Sequence, residues 1–138
     1  MKYLKKYNES TLNIDIKNHL EDILVELEDL GIYTYIEDSV HNKLNILVSD
    51  SPNAGGITVT GNTFDITEDV LTCLNHLTDY LKDVGYKVSY IPFRCLQSNE
   101  EGIDFYDSAD NIEDLKRIVN VFGYGRFKYI TLKYTYKG

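Results

Sequence analysis

Two groups of residues in this chain have types and spacing suited to chemistry. The first is a run of carboxylates at steps of three, Asp104, Asp107, Asp110 and Glu113. Carboxylate oxygens are what Ca²⁺ and Mg²⁺ bind. The EF-hand order D-x-D-x-D-G is absent, however, and no glycine lies among the four to make its turn. An acidic irregular loop over 97–109, running into a helix whose cap is Asp110 with Glu113, explains the same spacing. The second group is tyrosine, with twelve Tyr and no Trp in the chain. Tyrosine joins apolar area to a polar tip, which suits half-exposed sheets and binding surfaces. Tyr86, Tyr90 and Tyr134, with Arg94, Arg126 and Lys128 near them in the pattern, form the candidate ligand-binding set. Aromatic stacking plus a cation is the chemistry that grips a base or nucleotide. The simpler alternative is tyrosine filling a pleated surface.

The remaining candidates are weaker. His19, His41 and His76 are scattered, without the closely spaced ligand pairs of a zinc site. His76-Leu77-Thr78 has the form of the H-x-T triplet of 2H phosphoesterases. Those enzymes need two such triplets on neighbouring strands, and here there is one, on a helix. Gly55-Gly56 suits an anion nest, but the Lys-Ser/Thr of a P-loop is missing and a plain turn suffices. GxSxG, HExxH and GxGxxG do not occur. No catalytic residue, metal or cofactor is assigned on these grounds.

The elements that must position these residues follow from periodicity. Val70, Leu74, Leu77, Leu81 and Val84 recur at steps of three and four, the mark of one helix face. Thr67 is its cap, and Gly85 stops it in a left-handed conformation. A strand follows in which Tyr86, Val88 and Tyr90 share a face, ended by Pro92. Aligning Gly31 with Gly85 puts an earlier helix and strand in register, sharing D-x4-L-x6-L-x-D-x-G. Convergent amphipathic helices or an internal duplication both account for this.

The first helix spans 13–30, with Ile16, Leu20, Ile23, Leu24, Leu27 and Leu30 as its buried stripe. Strands over 32–37 and 43–48 read as a hairpin, and Gly61-Asn62 marks a second hairpin. A third helix spans 110–122, and a final strand spans 126–136. The order α-β-β-β-β-α-β-α-β predicts one α+β domain over 1–138: a mixed, mainly antiparallel sheet with about three helices packed on it. The late helix-to-strand crossovers favour some parallel neighbours.

Composition narrows the function classes. The net charge is −8, unevenly spread: residues 1–7 carry three Lys and no acid, residues 8–113 carry 21 acids against five bases, and residues 114–138 carry six bases against one acid. So acidic a body disfavours duplex nucleic acid as a partner. No apolar run spans a bilayer and no secretory h-region follows MKYLKKY, so no membrane partner is expected. Two cysteines without CxxC spacing fit a reduced, cytoplasmic protein, with Cys73 packed in its helix.

The basic leader MKYLKKYNES, followed by an amphipathic helix, resembles small accessory proteins of tailed bacteriophages. Capsid-targeting leaders of some such phages are cut after a Glu before a small residue, here Glu9–Ser10. Tyr7 departs from that pattern, where Leu or Ile is usual. The resemblance implies a non-enzymatic interaction protein, phage-encoded, acting on a host protein in the host cytoplasm or carried in the virion. The tyrosine and arginine pattern offers the alternative of a small nucleotide-like ligand, and an enzyme with an unrecognised site is the third reading. Oligomeric state is left open, a homo-oligomer included.

Overall fold

The computed structural model describes residues 14–39, 42–49, 63–96, 104–122 and 125–137. The leader over 1–10, His41, Gly55-Gly56, the Gly61-Asn62 turn and residues 97–103 of the expected acidic loop lie outside them. The elements are α1 (Ile14–Asp29), β1 (Tyr33–Ser39), β2 (Lys43–Ser49), α2 (Glu68–Asp83), β3 (Tyr86–Leu96), β4 (Asp104–Ala109), α3 (Ile112–Phe122) and β5 (Gly125–Tyr136). The α+β class holds: three helices and a five-stranded sheet in the order β1-β2-β5-β3-β4.

Every pairing in that sheet is antiparallel. The parallel neighbours expected of the late crossovers do not form, because β5 inserts between β2 and β3 and runs against both. The sheet also gains a strand in the stretch read as an irregular acidic loop. Asp104–Ala109 pairs with the second half of β3, and β3 continues through Pro92 to Leu96. Proline has no N–H to donate. The register with β5 is the same on both sides of Pro92, Tyr90–Lys133 and Phe93–Ile130, while Pro92 itself lies opposite Ser108.

The helix ends follow the sequence logic. Thr67 accepts a bond from the Val70 N–H at 3.3 Å. Gly31 and Gly85 take φ of +83° and +104°, a region where a Cβ clashes with the backbone. At α3 the capping box sits one residue later than expected. The Asn111 side chain accepts from the Asp114 N–H at 2.8 Å, and Asp114 accepts from the Asp110 N–H at 2.9 Å. This bond and the Arg117 guanidinium, in that order, hold the Asp114 carboxyl below its usual range.

One core lies between the sheet and all three helices. Leu20, Ile23, Leu24 and Leu27 from α1, Val70, Leu74, Leu77 and Leu81 from α2, and Ile112, Leu115 and Ile118 from α3 fill it. Leu44, Ile46 and Val48 of β2, Ile91 and Phe93 of β3, and Ile130 and Leu132 of β5 meet them. Leu30 departs from its expected stripe and is 44% exposed, because α1 ends at Asp29 and Gly31 turns the chain away.

The repeat read from Gly31 and Gly85 extends into the topology. In the first unit Thr34 lies opposite Val48, and in the second Val88 lies opposite Tyr134. A two-fold axis between β2 and β5 then exchanges the cross-strand pairs Leu44–Tyr134 and Val48–Ile130 and maps Ile46 onto Leu132, its own partner. The units are α1-β1-β2 and α2-β3-β5, with β4 and α3 inserted into the second hairpin.

Candidate functional site

With the helices on one side, cross-strand partners define the other side, since residues directly opposite in a sheet share a face. One row crosses all five strands: Tyr33, Ser49, Tyr129, Arg94 and Tyr106. A second holds Tyr35, Leu47 and Thr131, and a third holds Glu37, Asn45, Lys133 and Tyr90. Tyr33, Tyr35, Tyr90 and Tyr106 are large aromatic side chains left exposed. Leu47, Ser49 and Thr131, near the centre, are buried.

Two of these tyrosines carry cations. The Arg94 guanidinium carbon lies 5.2 Å from the Tyr106 ring centre, and the Lys133 ammonium lies 5.8 Å from that of Tyr90. Both are within cation–π range. Asn45 donates to Glu37 at 2.9 Å, and Ser89 and Thr135 share a hydroxyl bond at 2.7 Å. The small cleft among Lys43, Asn45, Ser89, Tyr90, Lys133 and Thr135 encloses about 170 Å³.

The six residues singled out from sequence do not converge. Tyr86 and Tyr134 are core residues, 2% and 1% exposed, on the helix-covered side. The Tyr134 hydroxyl bonds to that of Thr78 at 2.9 Å, and burial lifts its phenol far above the ordinary range. The cause of the split is a bulge. The register shifts between Val88 and Tyr90, so the alternation restarts and Tyr90 points away from Tyr86. A second shift, opposite Arg94 and Cys95, turns Phe127 into the core against Phe64 and Phe93. Arg126 and Lys128 flank that irregularity, both partly buried. Arg126 has φ +51°, and its N–H donates to Asp65 at 3.2 Å. Only Tyr90 and Arg94 of the six lie on the open rows described above.

Tyr106 stands outside the sequence-derived set because its stretch carries the composition of an acidic loop. The adjacent aromatic pair Phe105-Tyr106 inside an acidic run is the strand signal that was there to find. Charge is segregated between the layers. The three helices hold twelve carboxylates against four basic side chains, whereas the five strands hold four against six.

Away from this face, Glu26 joins α1 to α2. It accepts from the Cys73 thiol at 3.4 Å and lies 3.6 Å from His76 Nδ1. Burial, then the hydrogen bond to Glu26 and its charge, then that of Asp69, push the Cys73 thiol up from 9.0 to about 11. Such a thiol is packed and unreactive. His19 stacks on Tyr80 with ring centres 4.3 Å apart. Among the described residues no group of three or more His, Cys, Asp or Glu is placed to hold a metal ion, and no helix is long and apolar enough to cross a membrane. No protein family, curated protein or solved structure matches the chain.

Proposed function

We propose that the protein is a non-enzymatic interaction module that docks onto a partner protein through the sheet face that, among the described residues, carries no helix. The observation that carries this reading is the set of four exposed tyrosines, two of them bearing cations, on one sheet face. Tyr and Arg are the residues enriched at protein–protein hot spots. The bases outnumber the acids on the strands, so an acidic patch on the partner is the best match. The nucleotide-like alternative draws on the same cation–aromatic pairs. The cleft on this face encloses about 170 Å³, well short of the roughly 300–1,000 Å³ of small-molecule sites. That difference favours a protein surface over an enclosed ligand.

Origin belongs to the same proposal: a phage-encoded chain acting on a host protein or carried in the virion, as its leader suggests. The test replaces Tyr90 or Tyr106 with a photocrosslinking phenylalanine analogue, and in controls Val25 or Val121, which are exposed on the helices. Irradiation in infected-host lysate is expected to give one defined adduct from the tyrosine positions and none from the valines. An adduct from the valine positions alone counts against the proposal. Intact mass of virion-borne protein tests the leader, since a chain retaining residues 1–9 in mature particles removes the capsid-targeting reading.

A further inference from the structure

Four lysines gather at one point of the open sheet face. Thr135, on β5, lies opposite Lys43 of β2 on one side and Lys87 of β3 on the other. Lys133 and Lys137 are two residues away along the chain of β5, and the Lys137 N–H extends the ladder to the Gly85 carbonyl at 2.7 Å. Residues opposite each other, or two apart on one strand, share a sheet face. Thr135 therefore has a lysine at each of its four neighbouring positions, about 5 Å away across the strands and about 7 Å along them.

The ring opens to solvent, with Lys43, Lys87 and Lys137 exposed and Lys133 half-buried. The cleft of about 170 Å³ lies within it, lined by Lys43, Lys133, Ser89 and Thr135 among others. Among the described residues, the carboxylate in these rows is Glu37 at the sheet edge, and it accepts from Asn45 at 2.9 Å.

The fold does not require lysine here. The two-fold relation that exchanges β2 with β5 puts Ser49 in the place of Thr135. Ser49 lies between Tyr33 and Tyr129, with Leu47 two residues along, so the same positions of the first unit are aromatic and aliphatic. Lysine on an edge strand blocks unwanted pairing, but β2 and β5 are interior strands. Like charges at neighbouring positions of a sheet cost stability, and an anion bound among them offsets that cost.

We propose that this ring is a phosphate subsite of the docking face and reads a phosphorylated serine or threonine on the partner protein, an inference that rests on the reading of that face as a docking surface. Cations set around one point match a single dianion, whereas a nucleic acid backbone calls for cations set in line. The Ser89 and Thr135 hydroxyls share one hydrogen bond at 2.7 Å, which leaves the second proton of the pair for a phosphate oxygen.

The test is titration of the full chain with the capped peptide Ala-Ala-pSer-Ala-Ala, followed by amide chemical shifts. Saturable shifts are expected at Lys87, Ser89, Lys133 and Thr135, and none with the unphosphorylated peptide. Glu in place of phosphoserine should weaken binding about fivefold or more, since one negative charge then replaces two. Lys87→Gln with Lys133→Gln should weaken the phosphopeptide about tenfold and leave the remaining spectrum unchanged. Shifts that do not saturate or are confined to other amides, equal affinity for the Glu peptide, undiminished binding by the double variant, or tighter binding of an oligothymidylate would each overturn the inference. The two readings fail separately: crosslinking at Tyr106, in a different row of the face, reports docking whether or not the phosphopeptide binds, and the peptide titration needs no partner.

Discussion

Replacing Glu26 by Gln isolates what the α1–α2 contact does to Cys73. In the native chain the thiol is raised from 9.0 to about 11, first by burial, then by the hydrogen bond and charge of Glu26, then by Asp69. A thiol raised that far holds about a hundredfold less thiolate at neutral pH, and thiolate is the species that alkylates. Gln at position 26 removes the carboxylate's charge but leaves the burial, so reactivity should rise severalfold without reaching that of an exposed thiol. The assay is iodoacetamide modification from pH 7 to pH 11, with peptide mass spectrometry separating Cys73 from Cys95, which is fully buried. The same shift has a stability consequence. A thiol whose folded value exceeds its unfolded one contributes fully below pH 9 and loses that contribution as pH rises towards 11, by up to about 1.4 kcal/mol per pH unit. The stability gap between the native chain and Cys73→Ala, measured by urea unfolding, should narrow across that window. A native thiol titrating near 9, or a Gln variant of unchanged reactivity, would refute the reasoning.

Three further substitutions probe the scaffold. Tyr134→Phe removes a buried hydroxyl and its bond to Thr78, and should cost about 1 kcal/mol by urea denaturation. The native chain should also lose stability above pH 10 relative to this variant, because the buried phenol resists ionising while the unfolded one does not. Gly31→Ala meets no atom within 4 Å but must keep φ +83°, so its loss is conformational, about 1–2 kcal/mol in thermal unfolding. Asn111→Ala removes the α3 cap and should cost roughly 0.5–2 kcal/mol, with accelerated amide exchange at Asp114 as the local sign.

The helices were legible in the sequence because their signals are local. A 3.6-residue apolar period, Thr67 before the second helix and Gly85 after it specify a segment without reference to the rest of the chain. Strand order was not legible, since the insertion of β5 between β2 and β3 depends on pairings far apart in sequence. The candidate site was half legible for the same reason. Counting by twos from Tyr86 reaches Tyr90 correctly only if the strand is regular, and the bulge between Val88 and Tyr90 exists only against β5. Tyr134 alternates as expected, but alternation alone does not say which face the helices cover. Tyr106 lay in a stretch whose acidity masked its β-prone aromatic pair. The two-fold relation between the units was half visible, as a repeated helix, glycine and strand, while its axis through Ile46 and Leu132 needed the register.

The most direct measurement is the affinity of the crosslinked partner for two variants, one altered on each layer. Tyr90→Ala with Tyr106→Ala should weaken the Kd about thirtyfold or more, as loss of a hot spot worth about 2 kcal/mol requires. Glu21→Gln with Glu28→Gln, on the exposed face of α1, should leave it unchanged. Native affinity in the double-tyrosine variant, or a thirtyfold loss from the helix variant, would contradict the assignment of binding to the open sheet face.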